Sequence, residues 1–210
     1  MGCYTKGARA STNLTLVYSQ IKDSERYKVE LYAALQLAEQ KLSATDTIAA
    51  KIYQIAGTDY HKNYKIDSAI LYLNKSKEIY KANKSWQSYV RLCRTTASVA
   101  QAASNFKLMK ANIDDAYAVM VGELGTPPDL DAALQQLYGA LYYRTGEYER
   151  ALEAMQRGLL LSKKNLRSRE DTLTLINYYN NIGLLYIEVG DILKSEDYCL
   201  NAKSLSIQIG

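Results

Sequence analysis

Histidine occurs once in 210 residues, proline twice and cysteine three times, while phenylalanine and tryptophan occur once each. These shortages exclude much. A lone His61 cannot assemble a multi-histidine metal site, and at the end of a helix it reads as a surface residue rather than a general base. Cys3, Cys93 and Cys199 form no Cys-x-x-Cys pair, so neither zinc nor a redox motif is supported, and an odd count argues against a disulfide framework. No stretch of 18 apolar residues occurs, so no membrane-spanning helix is expected. The first ten residues lack the apolar core of a signal peptide. No glycine-rich loop follows a strand, and no strand pattern is visible. Asp114-Asp115 and Glu170-Asp171 are adjacent pairs that diverge by about 100° on a helix, so they cannot face one substrate together. No catalytic residue, metal site or cofactor is expected, and the chain does not read as an enzyme.

What is present is a spacing. From Gly139 there is an aromatic three residues on (Tyr142), Gly146 at seven, Tyr148 at nine, Ala151 at twelve, Met155 at sixteen and Gly158 at nineteen. Two helices meeting at a tight turn account for this pattern: Gly146 ends the first, and the small residues let the partner helix approach. The pattern recurs at Gly183, Tyr186, Gly190, Ile192, Ser195, Cys199 and Ala202, and upstream at Gly57, Tyr60, Tyr64, Ile66, Ala69, Leu73 and Ser76. A copy without the aromatic and the glycines runs through Ala97, Ala100, Ser104, Phe106, Met109, Ile113 and Ala116. The leading small residues stand at 57, 97, 139 and 183, which gives periods of 40, 42 and 44 residues.

Over about residues 44 to 210 this pattern resembles the tetratricopeptide repeat (TPR), whose usual period is about 34 residues. The longer period implies helices a turn or so longer. Tyr64 stands where a turn glycine is usual, Ala100 replaces the first-helix aromatic, and the closing proline is missing from all four copies. The resemblance implies an all-α, right-handed TPR-like α-solenoid of antiparallel helix pairs. More loosely, Asp59-Tyr-His-Lys-Asn-Tyr64 followed by Asp67-Ser-Ala-Ile-Leu-Tyr-Leu73 is similar to the TPR sensory region of Bacteroidetes-type transcriptional regulators. In those proteins the repeats precede a membrane helix, a coiled coil and a helix-turn-helix domain, parts that this sequence does not show.

In order along the chain, residues 1–10 read as a disordered leader. Residues 11–43 follow as two helices covering the first repeat, with Leu14, Val17, Tyr18 and Ile21 as the apolar face of one and Asp23-Ser24 capping the other. Four repeats over about 44–83, 84–125, 126–168 and 169–210 complete one continuous domain. Gly125-Thr-Pro-Pro-Asp129 marks the clearest boundary, with Asp129 as the cap of the next helix. Residues 1–110 hold 17 Lys and Arg against 8 Asp and Glu, and residues 111–210 hold 9 against 14. A basic half attracts acidic peptides or other anionic surfaces. The 19 tyrosines suit helix pairs whose rings pack while the hydroxyls reach polar partners.

In a solenoid of this kind the first helix of each pair lines the concave surface. The residues six and three before the leading small residue, and one and four after it, then form a groove. These are Lys51, Gln54, Thr58 and His61; Arg91, Arg94, Ser98 and Gln101; Ala133, Gln136, Ala140 and Tyr143; and Asn177, Asn180, Leu184 and Ile187. Such a surface suits a protein or peptide ligand, acidic at its basic end. The clamp by which some TPR proteins hold a C-terminal carboxylate is not matched, because Gln54, Thr58, Thr95, Ala133 and Leu137 occupy its places. The expectation is a non-catalytic interaction scaffold, which the resemblance casts as the sensory or regulatory region of a larger bacterial signalling protein. A nucleic-acid-binding regulator using the basic half, and a glycan-binding surface lipoprotein tethered at Cys3, are the alternatives. The compartment stays open between periplasmic or membrane-tethered and cytoplasmic. Ile192, Tyr198, Cys199, Ala202, Leu205 and Ile209 form an apolar stripe on the last helix, which predicts a homodimer through the C-terminal helix pair.

Overall fold

Small residues at fixed spacing decide how the helices pair. In a computed structural model, which describes residues 2–164 and 166–209, the described residues form ten α-helices and no strand. They are α1 (Gly2–Gln20), α2 (Ser24–Gln40), α3 (Thr47–Lys62), α4 (Ile66–Ala82), α5 (Trp86–Ala102), α6 (Phe106–Glu123), α7 (Pro128–Thr145), α8 (Tyr148–Lys163), α9 (Arg169–Glu188) and α10 (Ile192–Ile209). The chain divides into two compact units, Met1–Ala103 and Ser104–Gly210. That boundary falls inside the repeat expected over 84–125.

In the first unit α1 packs on α2, α2 on α3, α3 on α4 and α4 on α5. A Cβ on Gly57 would stand 2.7 Å from Leu73 Cγ, sixteen residues on, so the absence of a side chain is what lets α3 and α4 meet there. The second unit repeats the device twice. Gly139 faces Met155 Cγ at 2.6 Å between α7 and α8, and Gly183 faces Cys199 Sγ at 2.8 Å between α9 and α10. The Cys199 sulfur thus sits against Gly183 although the residue is exposed; Cys93 is fully buried.

A left-handed residue recurs at the turns. Tyr64, Ser104, Gly146 and Gly190, all at the seventh position, take φ of 59°, 54°, 79° and 82°. The amide of the following residue donates back to the tyrosine carbonyl at the third position: Lys65 to Tyr60 at 2.9 Å, Glu147 to Tyr142 and Asp191 to Tyr186 at 2.8 Å. This six-to-one bond closes a helix C-terminus. The tyrosine rings are used as well. Tyr60 stacks on Tyr72, Tyr142 stacks on Tyr138, and Tyr186 tilts against Tyr198. A cation covers each set, with Lys75 over Tyr72, Arg150 over Tyr142 and Lys194 over Tyr186. Burial, followed by the neighbouring Glu39 carboxylate, pushes the Tyr72 hydroxyl up to about 12.

Two equivalent carbonyls show how neighbouring repeats exchange roles. Ser76 donates its hydroxyl to Ala50 O at 2.7 Å, from α4 to α3. In the second unit the serine position is Gly158, and it leaves room for Tyr178 of α9, whose hydroxyl reaches Ala132 O at 2.5 Å. The counterpart of Tyr178 in the first unit is Leu92, which carries no donor, so Ser76 serves the carbonyl instead. Below the same pair of helices the buried Asp131 carboxylate accepts from Arg157 Nη2 at 2.7 Å and Gln135 Nε2 at 2.9 Å.

Three expectations are corrected. Residues 2–10, expected as a disordered leader, are the first half of α1; Ala8 is fully buried and Thr5 hydrogen-bonds Asp46 of the α3 cap. Leu14, Val17 and Ile21, expected to face inward, are exposed, and α1 instead buries Ala8, Thr12 and Thr15. The two threonines satisfy their hydroxyls on Ala8 O and Ser11 O one turn back. Asp129 does not cap α7, which begins at Pro128 after Pro127, a position that suits a residue without an amide proton. Asp23 does cap α2, accepting from Arg26 N at 3.1 Å.

Candidate functional site

Buried positions on the first helices fix which residues are left to face outward. On α3, Ala49, Ala50, Ile52, Tyr53, Ala56 and Gly57 are buried, which leaves Lys51 exposed and Gln54, Thr58 and His61 half-buried. On α5 the same geometry leaves Arg91 and Ser98 exposed and Arg94 and Gln101 half-buried. Both helices pack on α4. Thr58 and Ser98 hold equivalent positions and spend their hydroxyls on the carbonyls of Gln54 and Arg94. They offer a ligand little. His61 Nδ1 is shielded from solvent and has no hydrogen-bond partner. Among the described residues, Lys51 and Arg91 find no ion pair or hydrogen-bond partner for their side chains, so their charges face solvent uncompensated.

In the second unit, Gln136 on α7 is half-buried, and Asn177 and Asn180 on α9 are exposed, with no side-chain partner among the described residues. Tyr143 is engaged otherwise than expected: its hydroxyl donates to Glu188 Oε1 at 3.3 Å and its ring lies 6.0 Å from Tyr148. The Glu188 carboxylate, more than burial, raises the tyrosine's pKa above its ordinary value. Tyr143 thus ties α7 to the end of α9. Leu184 and Ile187 of α9 are both about half exposed, while Ala133 and Ala140 are half-buried.

A cleft of about 350 Å³ lies in the first unit, where α1 stands over the first turn of α3. Arg9, Thr12 and Asn13 of α1, Thr47, Ile48 and Lys51 of α3, and Tyr80 of α4 line it. Of these only Lys51 belongs to the groove expected from the sequence. Arg9 was assigned to the leader, and no spacing in the sequence marks α1 as a wall for α3. Among the described residues no group of three or more His, Cys, Asp or Glu stands close enough to hold a metal ion, and no helix is long and apolar enough to cross a membrane.

No protein-family model and no curated protein matches the sequence. Solved structures do. BtubC (BKLC) from P. vanneervenii aligns with a TM-score of 0.81 at 20% identity, over 98% of this chain and 82% of its own. A putative kinesin light chain from Podosopora anserina, with nearly identical TPR-like repeats, gives 0.76 at 15% identity over 99% and 98%. MamA from Desulfovibrio magneticus RS-1 gives 0.65 at 16% identity over 96% of both chains. The fold is that of the TPR-like helical repeat. At these identities the likeness extends to fold alone.

Proposed function

We propose that this chain is a non-catalytic protein-interaction scaffold whose first unit takes an acidic peptide segment on the outward faces of α3 and α5. The observation that carries the reading is that Lys51 and Arg91, at equivalent repeat positions on the two helices, are exposed and have no acidic partner among the described residues. Uncompensated cations on a rigid helical support are a natural complement to carboxylates. Gln54 and Gln101 add amide donors beside them. The sensory or regulatory region of a larger signalling protein is the setting that the repeat pattern suggests. In the second unit, Asn177, Asn180, Leu184 and Ile187 offer amides and apolar surface, which suits a less charged stretch of peptide.

Charge reversal tests this. Lys51→Glu with Arg91→Glu is expected to weaken binding of a fluorescent glutamate-rich peptide by at least about tenfold at moderate salt, because two favourable pairings become repulsions. Thermal stability should change little, since neither side chain makes an intramolecular contact through its charge. Unchanged peptide affinity in a folded double variant would refute the assignment of this face.

A second surface is proposed on α10, where Leu193, Leu200 and Ile207 recur every seven residues and are all exposed. Seven-residue spacing keeps one stripe on one side of a helix, and an isologous pairing of two copies through it would remove that surface from water symmetrically.

A further inference from the structure

The cleft between α1 and α3 combines features that the outward groove lacks. It is concave, and three helices wall it. Two of its lining residues are cations on different helices, Arg9 and Lys51, and among the described residues neither has an ion pair or hydrogen bond through its side chain. Two further lining groups, the Asn13 amide and the Tyr80 hydroxyl, likewise have no hydrogen-bond partner among the described residues. Burial raises the Tyr80 hydroxyl above its ordinary pKa, so it stays a neutral donor. The acid nearest in sequence, Asp46, is engaged: its carboxylate accepts from Ile48 N at 2.8 Å and from Thr5 Oγ1 at 3.4 Å. Glu39 is paired with Lys75. Cations and neutral donors thus share one recess in which no acidic side chain is among the lining residues.

We propose that this recess is an anion site which seats one carboxylate on the Arg9 guanidinium and the Lys51 ammonium, with the Tyr80 hydroxyl and Asn13 amide as supplementary donors. A volume of about 350 Å³ lies at the small end of ligand sites and matches one acidic side chain or a small organic acid. The guanidinium supplies a planar pair of donors suited to a carboxylate, and the ammonium supplies a point charge. The site deepens the acidic-peptide reading, on which it rests through Lys51, because it gives such a segment a place to anchor one residue. It also gives α1 a task beyond covering the first repeat.

Two probes separate the sources of the carboxylate: succinate for a free small acid, and hexaglutamate for a peptide side chain. Binding is followed at low ionic strength by calorimetry and by amide shifts of Asn13, Thr47 and Lys51. Arg9→Met keeps the aliphatic stem and removes the charge, and is expected to cost at least about tenfold for whichever probe the wild type binds. Arg91→Met, outside the recess, should weaken hexaglutamate and leave succinate unaffected. If Arg91→Met weakens hexaglutamate while Arg9→Met changes neither probe, the recess is not a site and the outward face stands alone. If Arg9→Met abolishes succinate binding while Arg91→Met leaves hexaglutamate unaltered, the recess is upheld and the outward-face reading fails. Matching melting curves for the two variants confirm that lost binding is not lost folding.

Discussion

Gly57 and Gly122 are both helical glycines, and the space around them predicts opposite outcomes for the same substitution. A Cβ on Gly57 would stand 2.7 Å from Leu73 Cγ and 3.1 Å from the Ala69 carbonyl, and the backbone atom cannot step aside. Around Gly122 nothing lies within 4 Å. Alanine gains up to about 1 kcal/mol over glycine in a helix, whereas overpacking a helix contact costs about 1–3 kcal/mol. Gly57→Ala is therefore expected to destabilise on balance and Gly122→Ala to stabilise by a few tenths to about 1 kcal/mol, measured by chemical denaturation. Equal signs for the two would mean that the close approach of α3 and α4 does not hold. The Gly57 to Leu73 meeting was legible in the sequence because size recurs sixteen residues on in every copy. The turn at Tyr64 was less so. Tyr64 is 90% exposed and still adopts φ of 59°, because the hydrogen bonds from its own amide and that of Lys65 impose the left-handed turn without glycine.

α1 shows where hydrophobic periodicity misleads. Leu14 and Val17 of α1, with Ile21 just past its end, would be read inward by hydropathy, yet all three are exposed and the threonine face is buried. Close helix approach rewards small side chains, and a threonine that bonds one turn back enters an apolar contact without leaving its hydroxyl unsatisfied. The same distinction separates the two sides of α10. Tyr198, Leu205 and Ile209 pack against the core of the second unit, whereas Leu193, Leu200 and Ile207 face outward. The stripe expected from the sequence mixed an inward set with Ile192 and Cys199, which are exposed, and Leu205 packs inward, so it is a poor probe of association. Leu200→Glu is the informative change. It is expected to abolish self-association of this chain, followed by light scattering over a concentration series, with no loss of thermal stability. A wild type that stays monomeric up to about millimolar concentration, far above the micromolar range of a modest specific interface, would eliminate the paired-copy reading.

At the scale of the molecule, the helical class and the pairings of α3 with α4, α7 with α8 and α9 with α10 were readable from residue size, since each rests on a glycine facing a side chain sixteen residues on. Of the groove residues expected on α3 and α5, Lys51, Arg91 and Ser98 are exposed, whereas Gln54, Thr58, His61, Arg94 and Gln101 are half-buried. What was not readable is the recess. Its walls come from helices far apart in sequence, and one of them lies in a segment whose small and polar composition resembles a loose leader. Charge makes the functional reading concrete: the first half of the chain carries an excess of Lys and Arg that its own acids do not balance. The most direct test is to pass a random-sequence peptide library over the immobilised protein at physiological salt, and to present single-stranded and duplex oligonucleotides under the same conditions. The retained peptides are expected to be rich in Asp and Glu, and to lose that bias when Lys51→Glu and Arg91→Glu are introduced together. Submicromolar, steeply salt-dependent retention of oligonucleotides, with no acidic bias among the peptides, would contradict the account and identify the basic half as a nucleic-acid surface.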